Sequence, residues 1–446
     1  MSDCEEYTEM RERATCVATS LIKAGYTAYF AGGCVRDALL GNKAKDFDIA
    51  TCATPEQVLE VFPYADSIGA HFGVMLVKVK RMHFEVATFR TDGSYSDGRR
   101  PESVEFSNPE KDALRRDFTV NGLFQDPESG KVIDFVDGQK DLAAGILRAI
   151  GNPEERFQED ALRLMRAIRF TTVLDFEIEA GTWAAICENA HLLEKISIER
   201  INIEFSKIMM APNRRRGLEL LVDSGLIKYF LPEVLDLIGC EQPPQFHPEG
   251  DVYVHTCIML EMIGNKEVPL SLALAVLFHD IGKPATYTYD EADNRIRFNG
   301  HEKVGADMCE VILRRMKYSN EIIADVRVMV ANHMKFMHVK DMRLSKLKRF
   351  MSRDTFVHEM ELHRVDCASS NGITENYDFV VLKREEFANE PLIPAPIVKG
   401  RDLMELGFSA GPRFKEILTA IQNEQLEGRL SDRDSALEWV KLTYGD

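Results

Sequence analysis

Apolar and polar residues follow two different periods along this chain of 446 residues. Near the N-terminus, helical periodicity predicts a helix over 5–24, and a short apolar run predicts a strand over 27–32. Strict alternation of apolar and polar residues predicts a pair of strands over 73–80 and 83–89. A second helix is expected to begin near Val35. From about Pro153 onward, strand patterns nearly vanish and apolar residues recur at helical spacing. The pattern predicts an α+β N-terminal part followed by helices.

Segments without apolar periodicity suggest where the domains meet. Thr91 to Glu105 is rich in Gly, Ser, Asp and Arg and predicts a mobile loop. The Pro-rich stretches Gln242–Pro244 and Pro391–Pro396 are the best candidate linkers. Together with the loss of strand patterns near Pro153, the two candidate linkers predict four segments, covering residues 1–150, 151–240, 241–390 and 391–446.

Composition and charge narrow the class of protein. An apolar fraction of 45% and a charged fraction of 28% are those of a globular protein. A polar, acidic N-terminus and the lack of a long apolar run predict a cytoplasmic protein without a membrane partner. The nine cysteines include no C-x-x-C pair, which argues against a disulfide framework or a thiolate zinc site.

The net charge of −17 is unusual for a protein that binds RNA, because phosphate contacts need Lys and Arg. Local charge matters more than total charge, and basic residues cluster at Pro212–Arg216 and at Lys346–Arg349. These clusters are equally compatible with RNA contacts and with solvated helix ends.

A glycine pair marks the first candidate site. Gly32 and Gly33 fall at a predicted strand-to-helix turn, where backbone N–H groups can approach a phosphate closely. Arg36, one helical turn further on, can clamp a triphosphate. A tight turn without a ligand explains the glycine pair alone equally simply.

Two carboxylates follow ten residues after Arg36. Asp46 and Asp48 are expected to lie on a strand with their side chains on one side, where they can share hard divalent cations such as Mg²⁺. Two such ions activate an attacking hydroxyl and stabilise a leaving pyrophosphate. Glu85, in a neighbouring predicted strand, is expected to supply a third carboxylate. A solvated turn is the simpler alternative for Asp-x-Asp alone.

Five sequence blocks together resemble a known family. They are AGGCVRDALLGNKAKDFDIAT, Arg115–Asn121, Asp137-Gly138 with Asp141-Leu142, Glu159–Arg163 and Ser197–Ile201. In this order they resemble the polymerase-β-like nucleotidyltransferases that include bacterial CCA-adding enzymes and bacterial poly(A) polymerases. The resemblance implies a catalytic head with a small mixed sheet, an all-α neck, a helical body and a helical RNA-binding tail, in the four segments above.

The same resemblance assigns roles to residues of the head. It implies that Gly33 and Arg36 hold the triphosphate, and that Asp46 and Asp48 hold the metal ions. Arg116, Asp117 and Asn121 would contact the phosphate and ribose of the incoming nucleotide, which agrees with the hydrogen-bonding capacity of their side chains. A helix N-cap is the alternative role of Asp117.

A polar series in the neck has the chemistry to select nucleotides. Asp160, Arg163, Arg166 and Arg169 recur every three residues, so that on one helix they would form one polar face. An Asp acceptor beside an Arg donor can recognise the Watson–Crick edge of C or A. The family's proposed logic assigns this role to Asp160 and Arg163, and it has the further arginines, Arg166 and Arg169, steady the triphosphate and the base. A surface helix with salt bridges is the alternative.

A second candidate site lies in the helical body. Its potential metal ligands are His255, His279, Asp280, His301, His333 and Asp366. This order resembles the HD-domain phosphohydrolases, which implies a divalent metal of unspecified identity and hydrolysis of a phosphate ester. The alternative is a scaffold that binds RNA and only retains these residues. His247, His338 and His358 are expected to be structural or exposed.

The family resemblance therefore implies an enzyme that adds C, C and A to the 3′ end of tRNA from CTP and ATP without a template, with no DNA partner. A poly(A) polymerase and an A-adding enzyme are close alternatives, whereas by the same resemblance the long 91–105 loop disfavours a CC-only enzyme. A protein that acts chiefly as an HD-type phosphohydrolase is the alternative from another class. A non-catalytic RNA-binding protein ranks last, because both metal-binding carboxylates are present.

Overall fold

The computed structural model describes residues 3–69, 72–93, 103–264 and 268–445. The chain forms two compact units, Met1–Pro232 and Glu233–Asp446. The first unit begins with the helix α1 (Asp3–Lys23), which confirms the helix predicted over 5–24. Within the described ranges, no helix is both long enough and apolar enough to span a bilayer.

The head of the first unit is built on a mixed sheet. Its elements are β1 Ala28–Ala31, α2 Gly33–Leu39, β2 Asp48–Thr51, α3 Pro55–Val61, β3 Asp66–Gly69, β4 Val74–Val79, β5 Met82–Thr88, β6 Arg90–Asp92, β7 Val104–Phe106, α4 Pro109–Leu114, β8 Phe124–Gln125, β9 Val132–Ile133, α5 Gly138–Ala144 and β10 Ile146–Leu147. The strand order is β3-β4-β5-β2-β1-β8-β9. β2 and β5 are parallel, and the predicted pair β4 and β5 is antiparallel.

The centre of this sheet sets the position of the first candidate site. Ala31, the last residue of β1, pairs with Asp48, the first residue of β2. The turn at Gly32 follows at once, and α2 begins at Gly33, two residues before the predicted start. Apolar side chains such as Phe89 and Phe124 fill the core against these strands. The glycine turn therefore lies beside the carboxylates, where β1 ends and β2 begins.

Both ends of the predicted loop Thr91–Glu105 have regular structure. Its two ends belong to β6 and β7, which pair in an antiparallel arrangement. The prediction of an irregular segment was therefore wrong at both ends. Residues 94–102, to which the expected mobility chiefly refers, lie outside the described residues.

The neck of the first unit is mainly helical. It comprises α6 Pro153–Glu159, α7 Leu162–Leu174, β11 Glu177–Ile178, α8 Ala180–Asn189, α9 Ile198–Met210 and α10 Arg214–Asp223. Asp160 lies between α6 and α7 in an extended conformation, and its carboxylate accepts a hydrogen bond from the Leu162 amide at 3.1 Å. This local bond competes with helix formation, so the prediction that Asp160 shares one helix with the three arginines was wrong.

The second unit is helical with one small hairpin. It comprises α11 Val252–Met262, α12 Leu270–Phe278, α13 Lys283–Thr286, β12 Thr288–Asp290, β13 Arg295–Arg297, α14 His301–Arg315, α15 Asn320–Asn332, α16 Leu344–Met351, α17 Phe356–Ser369, α18 Glu375–Glu386, α19 Gly400–Glu405, α20 Pro412–Leu426 and α21 Arg433–Tyr444. The hairpin of β12 and β13 was not predicted. Its strands are short and exposed or half-buried, which leaves no apolar alternation to detect.

Both predicted linkers lie inside this unit. Gln242 is buried, and its side-chain oxygen accepts a hydrogen bond from Lys283 Nζ at 2.6 Å, so the first Pro-rich stretch is anchored. Beyond the second stretch, α19, α20 and α21 share their own apolar cluster, which includes Leu403, Ile417 and Val440. α20 contacts α16 through Arg349, whose guanidinium donates to Gln422 at 2.8 Å. The tail thus has a core of its own and a polar contact with the body.

Candidate functional site

Three carboxylates meet where β2 begins. Asp46 and Asp48 are exposed on either side of the buried Phe47, as alternation requires, although Asp46 itself precedes the strand. β5 lies beside β2 with Val86 opposite Ile49, which brings Glu85 next to Asp48. The sequence prediction that these three carboxylates come together agrees with this geometry.

The electrostatics of this cluster fit a cation site. Desolvation first, and then the charges of Asp46 and Glu85, raise the pKa of Asp48 to about 6, against the opposing effect of Arg116. A carboxylate whose pKa is raised by its neighbours is stabilised in the ionised form when a cation lies beside it. Their all-oxygen donor set is the one that Mg²⁺ prefers.

The glycine turn lets an arginine approach the backbone. Gly32 has φ +71°, and a Cβ there would lie 2.9 Å from Arg116 Nη1. That same nitrogen donates to the Asn121 carbonyl at 3.2 Å, while the Asn121 side chain accepts from Arg36 at 2.6 Å. A Cβ on Gly33 would lie 3.7 Å from Arg36. The predicted phosphate-binding residues Gly32, Gly33, Arg36 and Arg116 are therefore neighbours.

Asp117 connects the head to the neck. Its Oδ2 accepts a hydrogen bond from Arg166 at 2.8 Å, and its Oδ1 accepts from the Asn121 side chain at 3.1 Å. Although burial opposes ionisation, Arg166 and Asn121 lower the pKa of Asp117 to about 2. The carboxylate is buried and ionised, and it fixes Asn121 and Arg166 in place.

The side chains of Asp160 and Arg163, the predicted nucleotide-selecting pair, bind different partners within the chain. Asp160 faces Arg200, with a shortest N–O distance of 3.3 Å. The guanidinium of Arg163 donates to Glu159 at 2.7 Å and to the carbonyls of Arg156 and Arg115, both at 3.0 Å. Asp160 and Arg163 are thus held by separate partners.

Two partners in the neck had no predicted role. Arg200 lies in one of the family-like blocks, but no spacing links it to Asp160. Glu204 is buried and pairs with Arg169 at 3.0 Å. Burial lowers the pKa of Arg169 to about 10, and the charge of Glu204 opposes this change. In the sequence both residues look like ordinary polar positions of an amphipathic helix.

The second unit gathers all six predicted ligands of the HD-type site. They lie on or next to helix ends and helix faces of α11, α12, α14, α15 and α17: His255, His279, Asp280, His301, His333 and Asp366. Asp280 contacts the Nε2 atoms of His279, His301 and His333 at 3.0, 3.3 and 3.8 Å. His255 Nε2 lies 3.2 Å from Asp366 Oδ1. The set is therefore one cluster.

Backbone carbonyls orient three of the histidines. The Nδ1 atoms of His279, His301 and His333 lie 2.7–2.8 Å from the carbonyl three residues earlier, so each Nδ1 donates and each Nε2 points into the cluster. The Nε2 atoms of His301 and His333 are only 3.2 Å apart. Burial lowers the pKa of His333 to about 4. Two ring nitrogens this close together in a dry site next to a carboxylate fit a cation as their common partner.

A carboxylate that sequence patterns missed supports the fourth histidine. Glu249 Oε1 accepts from Nδ1 of His255 at 2.7 Å and lies 2.9 Å from Nδ1 of His247. His247, expected to be structural or exposed, stacks edge-to-face on His255 with ring centres 4.9 Å apart. It therefore belongs to the surroundings of the metal-ligand cluster.

A cavity of about 400 Å³ opens onto this cluster. Its walls combine cluster residues with cationic and apolar side chains, including Phe246, Lys283, Arg295, Met334, Asp366 and Cys367. Lys283 Nζ lies 2.6 Å from Asp280 Oδ2, and Arg295 lies over the ring of Phe246. Positive charge next to a candidate metal centre suits a phosphate ester.

Three protein-family models match the chain in succession. The model described as "Poly A polymerase head domain" matches residues 28–148, and that described as "Probable RNA and SrmB- binding site of polymerase A" matches residues 175–238. The model of the HD domain matches residues 252–363. The matched regions contain the carboxylate cluster of the head and most ligands of the HD-type cluster.

Relatives of the chain are named CCA-adding enzymes. One from Ligilactobacillus salivarius is 48% identical over 437 residues, which cover 96% of each chain. Another, from Lactococcus lactis subsp. lactis, is 48% identical over 236 residues, which cover 52% of this chain and 59% of that enzyme. The crystal structure of the Bacillus stearothermophilus CCA-adding enzyme with CTP is 27% identical, with a TM-score of 0.75 over 97% of this chain and 96% of that one. The chain belongs to the family of CCA-adding enzymes.

Proposed function

We propose that this protein adds C, C and A to the 3′ end of tRNA from CTP and ATP, without a nucleic-acid template. The observation that carries the proposal is the cluster of Asp46, Asp48 and Glu85 beside the Gly32 turn, in a chain of this family. The full-length match to a CCA-adding enzyme favours this product over a poly(A) tail. The Bacillus stearothermophilus CCA-adding enzyme was solved with CTP, and a similarly folded CCA-adding enzyme from Thermotoga maritima was solved with tRNA, which agrees with these partners.

Asp46 and Asp48 would hold Mg²⁺, with Glu85 beside them. Bound there, the ions would supply a lowered pKa for the attacking 3′ hydroxyl and charge stabilisation for the leaving pyrophosphate. Arg36 and Arg116 are the cations nearest the glycine turn and would bind the triphosphate, while the turn admits it close to the backbone. Transfer then needs no covalent enzyme intermediate.

Nucleotide selection is assigned to the neck. Arg163 is anchored by two carbonyls and a carboxylate, so its remaining hydrogen-bonding direction is set before a base arrives. Asp160 would accept from the exocyclic amine of C or A, and Asp117 and Asn121 would contact the ribose. Asp160→Ala and Arg163→Ala should then relax nucleotide choice more than they slow transfer. Unchanged misincorporation of UTP and GTP in both variants would refute this assignment.

The four segments predicted from the sequence would divide this work. We assign catalysis to 1–150, nucleotide and RNA binding to 151–240, a metal site to 241–390 and tRNA contacts to 391–446. The matches of three family models within the first three segments, and the separate apolar cluster of the tail, support this division. A cytoplasmic location and the lack of DNA or membrane partners stay predictions.

A metal-dependent phosphohydrolase is a second candidate function, favoured by the HD-type cluster. Its six residues converge, with three histidines oriented by backbone carbonyls. A divalent metal held there would supply a bound water of lowered pKa. Lys283 and Arg295 line the adjacent cavity and would neutralise a phosphate ester.

The two functions are separable by mutation. Asp46→Asn together with Asp48→Asn should abolish extension of tRNA while leaving Mn²⁺-dependent hydrolysis of bis-p-nitrophenyl phosphate unchanged. Asp280→Asn should do the reverse. Extension that survives in the double variant would refute the proposed transferase site, and hydrolysis that survives Asp280→Asn would refute the proposed HD site.

A further inference from the structure

One aromatic ring lies among three arginines of the nucleotide site. The guanidinium carbons of Arg36, Arg166 and Arg169 lie 5.3, 5.2 and 4.1 Å from the centre of the Phe170 ring. Arg36 belongs to α2 in the head, whereas Arg166, Arg169 and Phe170 belong to α7 in the neck. A single side chain thus contacts cationic groups from both parts of the first unit.

Three guanidinium groups at such distances repel one another. Each has an acidic partner of its own: Asp37 for Arg36, Asp117 for Arg166 and Glu204 for Arg169. These carboxylates offset the charge of each arginine separately, whereas the ring of Phe170 lies within 5.3 Å of all three guanidinium carbons. The negative face of an aromatic ring attracts a guanidinium, and an aliphatic side chain of similar size does not.

The ring itself has little freedom to move. Phe170 packs edge-to-face on Phe118, with ring centres 5.8 Å apart, and Phe118 is fully buried in the core. A ring packed against the core in this way can hold flexible arginine side chains in one position. Fixing those side chains in advance reduces the entropy that a bound ligand must otherwise remove.

We infer that Phe170 is a positioning residue that gathers Arg36, Arg166 and Arg169 for the triphosphate of the incoming nucleotide. This inference rests on the proposed nucleotidyltransferase function. Because the triphosphate is common to CTP and ATP, the ring should act on both nucleotides equally. It should also act on binding rather than on the chemical step, since the three arginines around it would bind the triphosphate and are not the carboxylates that would hold the metal ions.

The test is nucleotide binding and turnover of Phe170→Leu and Phe170→Tyr in the full chain. Leu keeps an apolar side chain but removes the ring, so the Kd values of CTP and ATP should both rise about tenfold, as expected for the loss of two or three weak cation–π contacts. Values of kcat should stay within about twofold, and Tyr, which keeps the ring, should restore wild-type affinity.

Phe205→Leu is the matched control. Phe205 is fully buried in the same unit and packs edge-to-face on Phe230, so its loss tests ordinary aromatic packing. This variant should lose stability without a change in nucleotide affinity. Equal effects of Phe170→Leu and Phe205→Leu on the two Kd values, or a Tyr variant that behaves like Leu, would overturn the inference.

Fluorinated phenylalanines at position 170 keep the test decisive even where Leu does not fold. Fluorine weakens the negative face of the ring while largely keeping its shape, so each added fluorine should raise the Kd further. A Kd that is independent of fluorination would overturn the inference. Nucleotide binding is measured without tRNA, so a wild-type protein that binds CTP but adds no CCA would refute the proposed function and leave this test intact.

Discussion

Replacing Gly32 with Ala perturbs the nucleotide site at a defined point. Gly32 has φ +71° and ψ −123°, a backbone conformation that residues with a Cβ rarely adopt. The added Cβ would lie 2.9 Å from Arg116 Nη1, closer than such atoms approach, and 3.6 Å from the Asn121 carbonyl oxygen. The Arg116 side chain therefore has to move away from the turn.

Two costs follow from this geometry. Backbone strain at such a position costs about 1–3 kcal/mol. Displacing Arg116 also loses its hydrogen bond to the Asn121 carbonyl, which contributes about 1 kcal/mol. The displaced Arg116 would also lose its proposed charge-assisted contact with the triphosphate, which contributes about 1.5–3 kcal/mol. This loss should raise the KM for CTP and ATP roughly 10- to 100-fold.

Gly41→Ala separates these effects. Gly41 lies just after α2, with φ +75°, and a Cβ there would meet no heavy atom within 4 Å. The Gly41→Ala variant should carry a backbone strain of about 1–2 kcal/mol but leave Arg116 in place. Urea unfolding should show destabilisation in both variants, whereas only Gly32→Ala should lose nucleotide affinity in a binding assay with CTP. Equal affinity in the two variants would refute the role of the turn.

Three further predictions follow from the two sites. The pKa of Asp48 is raised to about 6, and Mg²⁺ binds the ionised carboxylate. The Mg²⁺ concentration needed for half-maximal extension should therefore rise as the pH falls through 6, and Asp48→Asn should abolish extension at every pH. A Mg²⁺ requirement that is constant between pH 5 and 7 would contradict this prediction. A Cβ on Gly282 would lie 2.4 Å from the His301 carbonyl, so Gly282→Ala should displace the start of α14 and abolish Mn²⁺ binding at the HD site, measured by calorimetry, while CCA addition continues. Glu249→Ala should weaken Mn²⁺ binding about 10- to 100-fold, because it removes the acceptor that orients His255, and unchanged Mn²⁺ affinity would exclude that role.

Much of both sites was predictable, because the types of the candidate ligand residues and their spacing along the chain indicate metal binding. Asp46 and Asp48 flank a buried Phe47, so strict alternation placed both carboxylates on one side. The six HD-type residues are His and Asp in a recognisable order, and the structure brings them together. Residue types with few other roles at such spacings are informative even without a known fold.

Supporting residues were not predictable from the same patterns. Glu204, Arg200 and Glu249 look like ordinary polar positions, and only tertiary contacts pair them with Arg169, Asp160 and His255. The single-helix prediction for the neck failed because the Asp160 side chain bonds to the backbone and separates two helices. The anchoring of the Pro-rich stretch at Gln242 was not predictable, because composition does not reveal that its side chain bonds to Lys283.

The central claim is tested most directly with a tRNA transcript that lacks its last three nucleotides. It is incubated with the protein, Mg²⁺ and CTP, ATP or both, and the products are resolved at single-nucleotide resolution. The proposed function predicts two additions with CTP alone and arrest after C-C-A with both nucleotides. Long A tails on unrelated RNA, extension only of a transcript that already ends in CC, or no extension would contradict it.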